Sequence, residues 1–505
     1  MKRLILCFLI MLFTASFSFT SSAQMPDENS EYYFDYGVIY LLNYETGEAM
    51  VLGGFPDGID YQNMPHGTDS ILDIKANVNG CRVTSILEYA FQGRQDLKTV
   101  MIPATVVNIG EQAFAGSNIQ AVYLYNDYGS SEEGFSIGSL AFSECARLES
   151  VLFSNSPVNE IGEGAFNKCY MLKNAYFDDY SPITTLSRGC FNCCSSLTSF
   201  GTPVNVTTID NAAFAGCTSL NYVYMPNGLT TIGRYAFAEC SSLTSIYLFN
   251  GIQTIDEAAF MFSGLTSVNI PNSVTYLGGM AFAGCRDLKT LKLSNAITDI
   301  RSHAFAGCYA LTSISIPNSV KTIGDRAFAG SEFRGAYNTD YIYPGLGIMQ
   351  EDVYSDLGSI ETINIGSSLE TVGQYAFVGH PLQSVTVMAP IPPVLQTGIA
   401  IDNPTVFDTD NFGTATLYVP RAMVNAYQTA HEWELFTNIE GFEVLGNGDV
   451  NNDNVSNVSD ITDMINSLLN EDTSNLNLIN ADLNGDGIIN VTDITILVNN
   501  VLAAH

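Results

Sequence analysis

Apolar and polar positions repeat in one fixed frame over most of the chain. An Ala-Phe pair opens each unit at Phe91, Phe114, Phe142, Phe166, Phe214, Phe237, Phe260, Phe282, Phe305, Phe328 and Phe377, and Phe191 stands in the same frame after Cys190. One unit reads Ala304-Phe305-Ala306-Gly307-Cys308, then Leu311, Ile314, Ile316-Pro317, Val320 and Ile323-Gly324, before Ala327-Phe328 opens the next, a period of 23. Ile314 and Ile316 flank Ser315, so one short strand turns Ile inward and Ser outward. Pro317 cannot donate to a ladder and ends the strand. Asn318, Gly233, Gly324 and Gly373 supply turn geometry. One coil cannot bury its own faces, so stacked coils share a core. The pattern predicts a repeat solenoid whose twelve strands form a parallel β-sheet about 55–60 Å long, at about 4.8 Å per strand.

Several columns follow from the frame. Cys145, Cys169, Cys194, Cys217, Cys240, Cys285 and Cys308 all lie three residues after the repeat Phe. Ser117, Ser263 and Ser331 hold the same place elsewhere, so the column reads as packing with free thiols, not as required bridges. Strand residues eight and ten after the Phe point outward. In those two columns Tyr123, Tyr176, Tyr222, Tyr224 and Tyr247 form an aromatic stripe. Tyrosine offers flat apolar area with a hydroxyl handle, which suits peptides and sugar rings; cross-strand support of the sheet is the other reading. Two insertions break the period, at 126–134 and 331–359. The second carries Tyr337, Tyr341, Tyr343 and Tyr354. Such insertions are binding loops or tolerated excursions.

The Ala-Phe-x-x-Cys-x-x-Leu-x-x-Ile-x-Ile-Pro signature resembles the BspA-like leucine-rich repeat family. The resemblance runs from about Ile86 to Val387 and implies a leucine-rich repeat solenoid with its parallel β-sheet on the concave face. The flanks are also similar to that family: strands at Tyr33–Asn43 and Ile71–Ile86 in an N-terminal β cap (24–85), repeats over 86–387, and a C-terminal cap (388–444) built from Leu417–Pro420, Ala426-Tyr427 and Trp433–Ile439. Family members are mostly secreted or surface proteins, several implicated in adhesion.

The N-terminus agrees with such a location. Lys2-Arg3 precedes the apolar run Leu4–Phe13, and Ser21-Ser22-Ala23 offers small residues before a cut at Gln24. Residues 1–23 read as a secretory signal peptide, too short in its apolar part to span a bilayer. No later apolar run is long enough to span a membrane. The 19 Lys and Arg against 52 Asp and Glu give a formal charge of −33. Nucleic-acid binding needs basic groups to displace counterions, so that partner class is excluded, and anionic membranes are disfavoured.

After Gly441 the composition changes. Residues 445–505 hold eight Asp, one Glu, and no Lys or Arg. Segments 449–469 and 482–502 align at an offset of 33, and each opens with an EF-hand-type loop. The first loop offers Asp449, Asn451, Asp453, the Val455 carbonyl, Asn457 and Asp460. The second offers Asp482, Asn484, Asp486, the Ile488 carbonyl, Asn490 and Asp493, with Gly487 at the sharp turn. All-oxygen ligands select a hard cation, so two Ca²⁺ are expected. Apolar helix faces follow at Ile461, Met464, Ile465, Leu468 and at Ile494, Leu497, Val498, Val501. The tail (445–505) resembles a type I dockerin, a small α-helical domain of paired EF-hand-like loop–helix halves. Asn454 and Ser456 depart from the pattern in the first half. The resemblance implies a cohesin-like partner contacted through Val458-Ser459 and Val491-Thr492.

Chemical motifs are few. The five His form no zinc-protease spacing. Gly134-Phe135-Ser136-Ile137-Gly138 matches a nucleophile-elbow pattern, but Ile137-Gly138 falls on the repeat turn. Cys190, Cys193 and Cys194 look like a metal or redox motif, yet two of the three sit at repeat core positions. The sequence therefore predicts no enzyme. It predicts a secreted or cell-surface binding protein whose solenoid takes an extracellular protein or glycan, with a calcium-dependent attachment module. The alternative is a component, catalytic or not, of an extracellular polysaccharide-degrading complex.

Overall fold

The computed structural model describes residues 30–35, 38–54, 71–125, 134–153, 157–177, 181–330, 358–396, 406–443, 446–451, 453, 455–470, 473, 476–484 and 488–503. The leader 1–23, most of both insertions (126–133 and 331–357), Asn454, Asp486 and Gly487 lie outside them.

The repeat folds as the hydrophobic frame dictates. Each Phe of the frame is buried and stacks face to face on the Phe of the next coil. From Phe91 to Phe377 ring centroids lie 5.1–5.5 Å apart, within 11° of parallel. The stack continues one rung further than the Ala-Phe pairs. Phe407, which follows Val406, stacks on Phe377 at 5.6 Å. Phe412, Trp433 and Phe436 then meet it edge-on and close the column.

Each coil but the one opened by Phe237 gives one strand to the concave face, and the coils also give short strands to the opposite face. On the concave face Ile71–Asp73, Thr99–Pro103, Ala121–Tyr125, Ser150–Phe153 and Asn174–Phe177 form a parallel ladder. It begins within the segment assigned above to the N-terminal cap. The expected single sheet is not continuous. Ser199–Gly201 pairs only with Tyr222–Tyr224, and Ser267–Asn269 only with Thr290–Lys292. Residues 245–248 form no strand. Pro203, Pro226 and Pro271 end these strands, but Pro103 and Pro317 hold the same place where the ladder does run on, so proline is not what breaks it. A last ladder joins Ser313–Ile316, Thr362–Ile365, Ser384–Val387, Thr416–Pro420 and Asn438–Phe442.

The coil turns where its backbone is forced left-handed. Two residues before the repeat Phe, φ is positive in every coil, including Tyr89, Gln112, Ala258 and Tyr375 as well as Gly164 and Gly189. Gly324 answers a different need. A Cβ there would come within 2.6 Å of the Ser302 amide of the preceding coil.

All ten cysteines from Cys81 to Cys308 are free and buried. In the seven column positions the thiol donates to the Phe carbonyl of the preceding coil at 3.1–3.4 Å. His380 takes the column position after the long insertion. Its Nδ1 accepts from the Ile360 amide at 3.3 Å, and its Nε2 donates to the Phe328 carbonyl at 2.5 Å. Gly330 and Gly358, beside the feet of the insertion, leave room for this ring, because a Cβ on either would strike it.

At the N-terminal end Ser30–Asp35, Val38–Asn43 and Glu48–Gly54 pair antiparallel, and the last then pairs parallel with Cys81–Ile86 of the opposite face. At the C-terminal end α1 (Thr409–Thr414) and α2 (Val424–Thr429) lie among the final strands. Tyr427 Oη donates to the Ala389 carbonyl at 3.0 Å and Trp433 Nε1 to that of Pro393 at 2.8 Å. The tail holds α3 (Val458–Leu469), α4 (Leu478–Ala481) and α5 (Val491–Ala503) around Val450, Met464, Leu483, Leu497 and Val501. The short α4 was not legible in the sequence. It packs against the 3₁₀ turn Arg421–Met423, and its Leu478 and Ile479 join the main core.

Candidate functional site

Two surfaces are candidates, and the repeat frame positions the first. The inward residues of the concave strands are buried, or partly buried as at Leu291, so their neighbours stand outward. Tyr176, Tyr222, Tyr224 and Tyr247 are 56%, 58%, 38% and 71% exposed. Tyr123 is half-buried in its column between Met101 and Leu152, so the exposed stripe is shorter than expected by that residue. Among the described residues none of the five tyrosines makes a ring contact with another. Tyr247 meets Phe249 edge-on at 4.5 Å, which props its ring outward. From Thr99 to Asn269 the two outward columns hold no charged residue; Asn174, Ser199, Ser267 and Asn269 accompany the aromatics. At the N-terminal end of the same face, Ile71, Asp73, Lys75, Thr99 and Met101 line an open depression of about 570 Å³.

The decoys are placed by the same frame. Ser136 lies in the strand Phe135–Ile137, its amide bonded to the Val107 carbonyl, with Phe135 and Ile137 buried on either side. Cys190 and Cys194 point into the core, and Cys193 joins a separate cluster with Ala215, Ala238 and Met261. Burial drives the Cys190 and Cys194 thiols far above their ordinary range, which leaves little thiolate for metal or redox chemistry.

The second candidate is the tail. Its two halves share one hydrogen-bond pattern. Asp460 Oδ1 accepts from the Val450 and Asn451 amides at 2.8 and 3.3 Å, and Oδ2 from Asn457 at 2.9 Å. Asp493 does the same with Leu483, Asn484 and Asn490 at 2.9, 3.2 and 3.0 Å. Asp449, Asp460, Asp482 and Asp493 are buried in a segment without a Lys or Arg. Buried carboxylates need a cation or strong hydrogen bonds, so a hard divalent ion fits this donor set. Among the described residues no three His, Cys, Asp or Glu side chains converge closely enough to hold an ion by themselves. An ion there would need the Asn451 and Asn484 side chains and the Val455 and Ile488 carbonyls as well.

The ninth-position asparagines also serve the helices that follow. Asn457 Oδ1 accepts from the Ser459 amide, and Asn490 Oδ1 from Thr492, both at 2.7 Å. Each therefore caps the following helix, and its Nδ2 donates to the position-7 carbonyl at 3.1 and 2.9 Å. Val458 and Val491 are 63% and 71% exposed, with Ser459 and Thr492 beside them. The exposed Leu469 and Leu502 extend both stripes at the same offset of 33. The cap contacts α4 instead, so both stripes stay open.

The BspA type leucine rich repeat region model matches this chain in overlapping segments from 70 to 383, and the dockerin type I domain model matches 447–502. No curated protein matches. Among solved structures, a leucine-rich repeat protein from Bacteroides ovatus is 22% identical, with 74% of this chain and 99% of that one covered and a TM-score of 0.45. A leucine rich cell surface protein from Faecalibacterium prausnitzii is 22% identical over 69% and 91%, with a TM-score of 0.37. The pneumococcal vaccine antigen PcpA is 17% identical over 81% and 97%, with a TM-score of 0.43. Type I dockerin domains bind calcium and imply a cohesin-type partner, and neither domain type is catalytic in kind. Both are typical of extracellular or surface proteins, and among the described residues no helix is long and apolar enough to cross a membrane. The chain belongs to the BspA-type leucine-rich repeat family and carries a C-terminal type I dockerin domain.

Proposed function

We propose that this protein is a secreted or surface-held binder without catalytic activity, exported by its leader. Its concave tyrosine face captures an extracellular protein or glycan, and its tail, holding two Ca²⁺, attaches to a cohesin-like domain. One observation carries the capturing face: four tyrosines stand exposed in a neutral double column without stacking on one another. Rings that supported the sheet would pair across strands. Asp449, Asn451, Asp453, Asn457 and Asp460, with Asp482, Asn484, Asp486, Asn490 and Asp493, would hold the ions together with the Val455 and Ile488 carbonyls. Calcium there would fix each loop against its helix and so set the duplicated Val-Ser and Val-Thr surface. The test is a variant with Tyr123, Tyr176, Tyr222, Tyr224 and Tyr247 all changed to Ser, screened on arrays of extracellular proteins and glycans. Capture should disappear while the melting temperature stays within a few degrees. Retained capture together with a large loss of melting temperature would show the stripe to be structural.

A further inference from the structure

The tyrosine face contains a gap at one place. Gly201 occupies the outward column between Tyr176 and Tyr224, ten residues after Phe191 as they are ten after Phe166 and Phe214. A glycine inside a strand weakens it, so its presence asks for a reason. Backbone geometry supplies none, because φ is not positive here and a Cβ would meet nothing within 4 Å. The fold thus accepts a side chain at 201, and the glycine's effect is on the surface. It leaves a slot in the outward column between the exposed Tyr176 and Tyr224. Tyr222, one row along the strand, stands at its end, opposite Ser199.

The slot has room for one ring. The strands Asn174–Phe177, Ser199–Gly201 and Tyr222–Tyr224 lie side by side. Two strand spacings separate the tyrosine positions by about 10 Å. A ring held between two aromatic faces needs about 3.5–4.0 Å on each side. We propose that the Gly201 slot is a subsite for a single pyranose ring of a neutral glycan. This rests on the tyrosine face being a binding face, and it adds the ligand class and the position.

Charge selects the occupant. A charged peptide would need complementary charge, and these two columns offer none from Thr99 to Asn269. They offer Asn and Ser amides and hydroxyls beside apolar ring faces. That combination matches a ring whose C–H faces are apolar and whose rim carries hydroxyls. The overall charge of −33 also disfavours uronic-acid or sulfated chains.

The full chain is run through native gels cast with hydroxyethylcellulose, galactomannan or soluble starch, with pectin as the anionic control and a proline-rich peptide tested separately. The variants are G201L, which fills the slot, G201A, which fills part of it, Y247S outside the slot, and the five-Tyr→Ser protein. At least one neutral glycan should retard the wild type and pectin should not. G201L should bind at least tenfold more weakly, G201A should fall between, and Y247S should lose less than G201L. The melting temperature of G201L should be equal or higher, because leucine is the better strand residue. Wild-type retardation by G201L overturns the subsite, as does the failure of every neutral glycan. If the glycans fail but the peptide binds and the five-Tyr variant loses it, the tyrosine face survives and only the glycan subsite falls. If the five-Tyr variant binds like the wild type, the face itself is refuted.

Discussion

Phe237 is the most direct test of how the solenoid is held together. Its ring is fully buried and lies 5.3 Å from Phe214 and 5.4 Å from Phe260, within 8° of parallel to both. Phe237→Leu keeps most of the apolar volume and removes two stacking contacts. At about 0.5–1.5 kcal/mol per aromatic pair, the loss should be about 1–3 kcal/mol. Phe237→Ala also leaves a cavity and should cost about 3–5 kcal/mol. In a stacked array each coil contacts only its neighbours, so a cavity in the middle also weakens the link between the two halves. The single tryptophan, Trp433, is buried in the C-terminal cap and reports that end alone. Urea unfolding followed by circular dichroism and by Trp433 fluorescence should coincide for the wild type and separate for Phe237→Ala. Two coincident curves with a midpoint unchanged from the wild type would refute the ladder as the source of cohesion.

Other consequences can be checked on the same protein. Chelating calcium from the full chain should abolish the helical signal of α3 and α5 and leave the solenoid transition in place, and Asp482→Ala should cost more than Asp449→Ala. Helicity unchanged in excess chelator would refute the calcium loops. Burial pushes the Cys145 and Cys285 thiols up to about 11 and about 12, so native protein should resist alkylation, whereas denatured protein without reductant should show the cysteines from Cys81 on as free thiols by mass spectrometry. Burial also lowers the pKa of His380, only partly offset by the Phe328 carbonyl and the Asp408 carboxylate. The unfolded chain then binds the extra proton first, so stability should fall as pH drops below about 6.5. His380→Cys, which restores the column residue, should lose less melting temperature between pH 7 and pH 5 than the wild type.

The solenoid was legible because its core residues sit at fixed offsets and each coil restates the others. Phe407 escaped that reading since Val406 replaces the expected Ala and the frame is displaced by the cap. The break in the concave sheet was hidden for another reason. Side-chain period reports which way a residue faces, not whether its amide finds a partner on the next coil. In the loops, ligand spacing was visible, but the capping role of Asn457 and Asn490 was not. An amide oxygen can cap a helix end and still reach a metal through water, and the capping shows only in the backbone trace.

The α4 contact changes how attachment and capture relate. A tail joined only by a flexible linker would let the docking helices sample many directions. Here Gly446 and Gly448 donate to the Asp482 and Asn480 carbonyls at 2.8 and 3.0 Å, which ties the start of the tail to α4 and the head of the second loop. Leu478 and Ile479 then bury against the cap, and the cap strands Thr416–Pro420 and Asn438–Phe442 belong to the concave ladder. The route from docking module to concave sheet is therefore one of packed side chains and backbone hydrogen bonds. A partner bound at Val458-Ser459 or Val491-Thr492 would hold the tyrosine face in a defined orientation.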